Sequence, residues 1–137
     1  MNERLQIVAD RLAGAAMCFL ATVDNGKPRV RPFQHQFALD NKLWFGTGKS
    51  KAVCRQLQAN PWVEICAVGP DAAWLRVSGQ VIFADDRAIK ERILAGQELI
   101  RSRYNSAAHP DLAVFYLEHG TYALDGFPGI PPRTGKF

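Results

Sequence analysis

Residues 43–63 read LWFGTGKSKAVCRQLQANPWV, and the order of patterns within them decides the fold. A strand-like run, Leu43-Trp44-Phe45, meets Gly46-Thr47-Gly48, where the spacing predicts a break. Lys49, Ser50 and Lys51 follow, then a short helical pattern with Val53, Cys54 and Leu57 on one face, stopped by Asn60-Pro61. A second strand-like run begins at Trp62. Strand, glycine turn and basic helix start together suit an anion, because free backbone N–H groups and the helix dipole both favour negative charge there. The expectation is a phosphate held at this turn and a barrel built around it. The plainer alternative is a solvated turn that is merely basic, since charge runs usually lie on the surface.

The same stretch contains GTGKS, the tail of a Walker A loop. The first glycine of that motif would fall at position 43, which is Leu43 inside the apolar run. Without it the loop cannot wrap successive phosphates, and no repeating βαβ pattern surrounds it. A nucleotide-triphosphatase loop is excluded on that mismatch.

Working outward, Asn2 can cap a helix to about Ala13 that carries Leu5, Val8 and Leu12 on one stripe. Met17 to Val23 reads as a strand, and Asp24-Asn25-Gly26 is a hairpin signal, because Asn and Gly tolerate the positive φ of tight turns. Arg29 to Leu39 reads as the partner strand, and Asp40-Asn41 turns it into a strand at Lys42–Phe45. After the basic turn a helix is expected from Ser50 to about Ala59, then a strand from Trp62 to Val68. Ala73 to Phe83 reads as one long strand with a bulge at Gly79. Asp85 or Asp86 caps a helix bearing Ile89, Ile93 and Leu94, which continues or restarts through Leu99 and Ile100. Ser102 to Asp111 reads as a loop, Val114–Leu117 and Thr121–Leu124 as strands, and the Pro-rich tail from Phe127 as extended or mobile. Short strands with tight turns and peripheral helices argue for a mainly antiparallel β barrel, residues 1–137 forming one domain. The first strands leave no room for the crossover helices of a parallel sheet.

Composition sets the bounds. The 137 residues are 47% hydrophobic and carry a net charge of +4, enough for a core and an anionic ligand but far from a histone-like excess. Cys18, Cys54 and Cys66 show no C-x-x-C spacing and read as buried free thiols of a reducing compartment. The charged, amphipathic N-terminus has no signal-peptide pattern, and no run is long enough to span a bilayer, so a cytoplasmic protein is expected. His35, His109 and His119 are too scattered for a metal site, and no nucleophile–base motif occurs.

The joint order of Lys27-Pro28-Arg29-Val30-Arg31-Pro32-Phe33, Leu43-Trp44-Phe45-Gly46-Thr47, Ser50-Lys51 and Asn60-Pro61 resembles the pyridoxamine 5′-phosphate oxidase-like flavoproteins. Phe115-Tyr116-Leu117 and Thr121 to Gly129 resemble the final strands of the short nitroimidazole-resistance-type members. The likeness spans about Met17 to Leu124, and Arg31 stands sixteen positions before Thr47, the oxidases' own separation. After Thr47 the chain is shorter before its lysine. The resemblance implies an FMN-binding split β-barrel with antiparallel Greek-key strands. It implies that Arg31 meets the FMN phosphate or ribityl chain and that Pro32 and Phe33 run along the flavin ring. Gly46 and Thr47 would line the ribityl–phosphate path, and Ser50 and Lys51 would hold the phosphate. Gln36 stands where the oxidases place a lysine at the ring's polar edge, and Trp74 where they place a flavin-contacting glutamine. It further implies a homodimer with the flavin in the subunit cleft. The oxidase proper ends in an Arg- and His-bearing segment that grips its substrate. This chain ends in GIPPRTGKF with a lone Arg133, so pyridoxamine phosphate is not the expected substrate.

Each feature has a plainer reading. Arg31 could pair with a surface acid, and Trp44, Trp62 and Trp74 are more often core or interface than flavin stackers. The expected function is an FMN-dependent oxidoreductase that moves electrons from NAD(P)H to a small molecule. Two alternatives stand beside it: a non-catalytic flavin, deazaflavin or haem binder of the same fold, and a nucleic-acid-binding small barrel. No RNA-binding motif supports the latter, and the surplus charge is modest.

Overall fold

The computed structural model describes residues 2–128 and 131–137. Helix α1 (Glu3–Gly14) begins where Asn2 accepts the backbone N–H of Arg4 at 2.9 Å and buries Leu5, Val8, Ala9 and Leu12. Strands β1 (Cys18–Asp24) and β2 (Lys27–Phe33) form a hairpin in which Asp24 faces Lys27. Its two turn residues, Asn25 and Gly26, take φ of 50° and 78°, the left-handed values a two-residue turn needs.

The strand expected over Arg29–Leu39 is two strands in different sheets. The chain leaves β2 after Phe33, crosses at Gln34–Gln36, and starts β3 (Phe37–Leu39), which pairs with β4 (Lys42–Gly48) through the Asp40-Asn41 turn. The Gln36 N–H donates to the Trp44 carbonyl at 3.3 Å and opens this second ladder. Nor does β4 break at its glycines. Gly46, Thr47 and Gly48 pair with Val114, Ala113 and Leu112, and the turn is confined to Lys49–Lys51. Gly48 is in the strand because its neighbours come close: a Cβ there would lie 2.7 Å from Asp111 Oδ2 and 2.8 Å from the Tyr104 hydroxyl.

Helix α2 (Ala52–Ala59) buries Val53, Cys54, Gln56 and Leu57, and β5 (Trp62–Val68) follows. Strand β6 (Trp74–Gln80) ends before Val81, and β7 (Ile82–Ala84) joins the other sheet, so the single strand expected over Ala73–Phe83 is also two. Gly79 makes no bulge there. It pairs with Val63 in unbroken register, and its missing Cβ leaves room for Leu117. Asp86 caps α3 (Arg87–Gly96) by accepting the Ile89 N–H, and α4 (Glu98–Tyr104) restarts after Gln97. The loop expected from Ser102 therefore starts only after Tyr104, because that ring is buried and holds the last helical turn in place. Strands β8 (Leu112–Leu117) and β9 (Thr121–Asp125) are followed by β10 (Arg133–Lys136), which pairs with β9. Much of the tail is thus a strand ended by the buried Phe137; positions 129 and 130 lie outside the described residues.

Two antiparallel sheets result, ordered β10-β9-β6-β5-β1-β2 and β3-β4-β8-β7. They do not close on each other, and the fold is a split β-barrel with peripheral helices. Between them Phe45 stacks on Phe115 at 5.3 Å, with Leu20, Leu43, Ile65 and Val77 fully buried around the pair. Alternation sends Phe19, Val23, Val30, Trp62 and Val68 to the opposite, outer face of the six-stranded sheet, where all are exposed. Cys18 is buried, its thiol donates to the Phe33 carbonyl at 2.8 Å, and burial pushes its pKa up to about 11. No helix among the described residues is long and apolar enough to cross a membrane.

Candidate functional site

A cleft of about 450 Å³ opens where the sheets part. One wall is the end of β2 and the crossing segment, with Pro32, Phe33, Gln34 and Gln36. The floor is Gly46 and Thr47 of β4, and Lys51 enters from the start of α2. The other wall is α4, which contributes Leu99, Ile100, Arg103 and Tyr104. No carboxylate among the described residues lines the cleft. Lys51 forms no ion pair among the described residues, and the α2 N-terminus has neither a side-chain cap nor an acid in its first turn. The Thr47 hydroxyl is buried without a hydrogen-bond partner, a state that usually marks a group awaiting a ligand or water. Cationic charge, an open helix start and an orphaned hydroxyl leave this end of the cleft electropositive and supplied with a free donor.

Six of the sequence-derived candidates come together here: Pro32, Phe33, Gln36, Gly46, Thr47 and Lys51. Three do not line the cleft. Ser50 is held from the side, its N–H donating to Asp111 Oδ1 at 2.8 Å and its hydroxyl to Oδ2 at 3.0 Å, while Lys49 N–H donates to the Asp111 carbonyl. The protein's own carboxylate thus takes the donors expected to meet a phosphate. Trp74 lies half-buried at the start of β6 and packs edge-on against Phe127 at 6.2 Å.

Arg31 sits beside the cleft in a polar network instead of a surface ion pair. Its guanidinium donates to the Leu20 carbonyl at 3.2 Å, to Thr22 Oγ1 at 2.8 Å and to Gln56 Oε1 at 2.6 Å. The Thr22 hydroxyl donates to the same Gln56 oxygen at 2.6 Å. No acid balances the charge among the described residues. Burial lowers the Arg31 pKa, yet an arginine remains a cation.

The sequence reading expected a helical restart through Leu99 and Ile100 but missed its extension to Tyr104 and its place as a wall of the cleft, and it missed Asp111, Thr22 and Gln56. The Ile100–Tyr104 spacing of four was the available signal for α4; the other three act across long separations and leave no local trace. His35, within the crossing segment, has a buried Nε2 with no partner, and burial pulls its pKa down to about 4. His109 Nδ1 instead accepts the Asp111 N–H at 3.1 Å, and no cluster of potential metal ligands occurs among the described residues.

The family model for pyridoxamine 5′-phosphate oxidase matches residues 6–122. The chain belongs to this family. Solved structures of the fold agree. A NimC/NimA family protein from Clostridium acetobutylicum superposes with a TM-score of 0.91 at 27% identity, covering 98% of this chain and 94% of its own. A pyridoxamine 5′-phosphate oxidase-related, FMN-binding protein from Nostoc punctiforme gives a TM-score of 0.74 at 19% identity, with 98% and 90% covered. A heme-binding protein from Mycobacterium smegmatis gives 0.73 at 15% identity, with all of this chain and 58% of that one covered. The latter two establish a shared fold. No curated protein matches the sequence.

Proposed function

We propose that this pyridoxamine 5′-phosphate oxidase-family chain binds FMN in the cleft and works as a flavin-dependent oxidoreductase that passes electrons from NAD(P)H to a small acceptor. The observation that carries the reading is the cleft: about 450 Å³, apolar along Pro32, Phe33, Leu99 and Ile100, with an unpaired lysine and an orphaned threonine hydroxyl at one end. Its size is that of an ordinary small-ligand pocket, and its donor set fits a phosphate monoester carried on a flat, largely apolar ring. Lys51 would hold the phosphate, with Arg31 beside it. Gly46 and Thr47 would follow the ribityl chain, Pro32 and Phe33 would lie along the ring, and Gln36 would face its polar edge. Ser50 shapes the turn through Asp111 and gives the phosphate no donor. When bound, the flavin supplies the hydride chemistry, and the protein supplies anchoring, orientation and control of access.

The exposed outer sheet face supports a homodimer. Val30 is 69% exposed, Val68 56% and Trp62 51%, and with Phe19 and Val23 they put five large apolar side chains on one open sheet face. Trp74, absent from the cleft lining, would have to meet a flavin held by a neighbouring copy. The FMN-binding protein from Nostoc punctiforme shares this fold, which supports FMN as the cofactor.

The test is the visible spectrum of the protein after incubation with FMN and desalting. Retained flavin bands that bleach with NADPH and recover with an added acceptor are expected. Lys51→Ala should weaken FMN by about 1–3 kcal/mol, the range for a lost charged hydrogen bond. Arg31→Ala should weaken FMN more than riboflavin. A Soret band with haem and no flavin retention would overturn the assignment.

A further inference from the structure

At the α2 end of the cleft Asp111 takes the Ser50 donors. Arg103 of α4 lines the same cleft as Lys51, is exposed, and forms no ion pair among the described residues. Its guanidinium lies 5.5 Å from the Tyr104 ring centroid. Gly48 shows how α4 and the basic turn converge. A Cβ on that glycine would lie 2.8 Å from the Tyr104 hydroxyl and 3.6 Å from Lys51 Cγ. Asp111, the acid at that point, is engaged with Ser50 and pairs with neither cation.

A basic residue in the last turn of a helix also complements the helix dipole, so Arg101 is an internal comparison. Arg101 occupies the same turn and spends its guanidinium on the Leu94 carbonyl at 3.4 Å. Among the described residues Arg103 has no such acceptor. We propose that Arg103 is a phosphate ligand contributed by α4, gripping with Lys51 the phosphate of the bound flavin. The assignment rests on the flavin reading above. Guanidinium suits the task because its planar fork can donate two parallel hydrogen bonds to phosphate oxygens.

The experiment is a fluorescence titration of the full chain with FMN and with riboflavin, which differ only in the phosphate. Arg103→Met should weaken FMN by about tenfold or more and riboflavin by less than about twofold, while Arg103→Lys recovers part of the loss. Arg101→Met should leave both affinities unchanged. Wild-type preference for FMN retained in Arg103→Met, or equal losses for the two flavins, would overturn the role of Arg103 alone. A wild-type chain that binds neither flavin would overturn the flavin reading and this assignment with it.

Discussion

Acid should weaken this fold through His35. Its imidazole lies in the segment that crosses between the sheets, Nε2 is buried without a partner, and the ring meets Phe45 edge-on at 5.6 Å. Burial lowers its pKa from 6.5 to about 4, offset only in part by the Phe37 backbone. Between those values the unfolded chain binds a proton that the folded chain refuses, so stability rises with pH across the window and falls on acidification. At pH 5 the linkage expression RT ln[(1 + 10^1.5)/(1 + 10^−1)] gives a loss of about 2 kcal/mol relative to neutral pH, approaching about 3 kcal/mol at pH 4. For a chain of this length that is a fall in Tm of about 6–10 °C. The depressed carboxyls of Asp71, beside Arg11, and Asp85, beside Lys90, start from 3.8 and titrate below this window. Urea denaturation at pH 7.5, 6.0 and 5.0 should show the loss in the wild type. His35→Leu should flatten it, since no hydrogen bond of Nε2 is given up. Gln34 and Gln36 flank His35 and line the cleft, so ligand retention should fade over the same pH range. Parallel stability curves for wild type and His35→Leu would refute the argument.

Two further outcomes follow from the packing. Gly48→Ala drives a methyl group to 2.7 Å from Asp111 Oδ2 and should dislodge the Asp111–Ser50 pairing, costing about 1–3 kcal/mol by urea denaturation; an unchanged midpoint would show that the approach is not as close as described. Gln56→Leu leaves the Thr22 hydroxyl and one Arg31 donor without their acceptor, with Thr22 only 2% exposed, and should cost about 2 kcal/mol. In a double-mutant cycle with Thr22→Val the two losses should be non-additive by more than about 0.5 kcal/mol, and simple additivity would dissolve the network.

Local signals carried much of the fold. The Asn2 cap and the Leu5-Val8-Leu12 stripe mark α1, Asp24-Asn25-Gly26 pins the first hairpin, and Trp62–Val68 is a strand at the residues its pattern predicts. The two strands expected as single long runs share one cause of error. At Gln34–Gln36 and at Val81 the chain leaves one sheet for the other while its residues continue to read as strand. Periodicity reports which face a side chain takes, not which ladder the backbone joins, so both crossings were absorbed into single long strands. Those crossings are what split the barrel, and the first of them supplies one wall of the cleft.

The site shows the same division between what is local and what is not. Pro32, Phe33, Gly46, Thr47 and Lys51 converge because their places on β2, β4 and the start of α2 are set by backbone pairing, which short motifs encode. Ser50 goes elsewhere because its partner lies 61 residues away, and nothing near Ser50 in the chain announces Asp111. The two glycines of Gly46-Thr47-Gly48 signalled a special backbone, and the specialness is real at Gly48. Its cause is space for a carboxylate and a phenol arriving from α4 and the segment after it, not a turn. A residue pattern can therefore bring the right backbone positions to one end of a cleft and still miss which side chains are free there. The acid that occupies one seat and the arginine offered in its place both come from residues 98–111, and only the folded chain brings that segment to the turn.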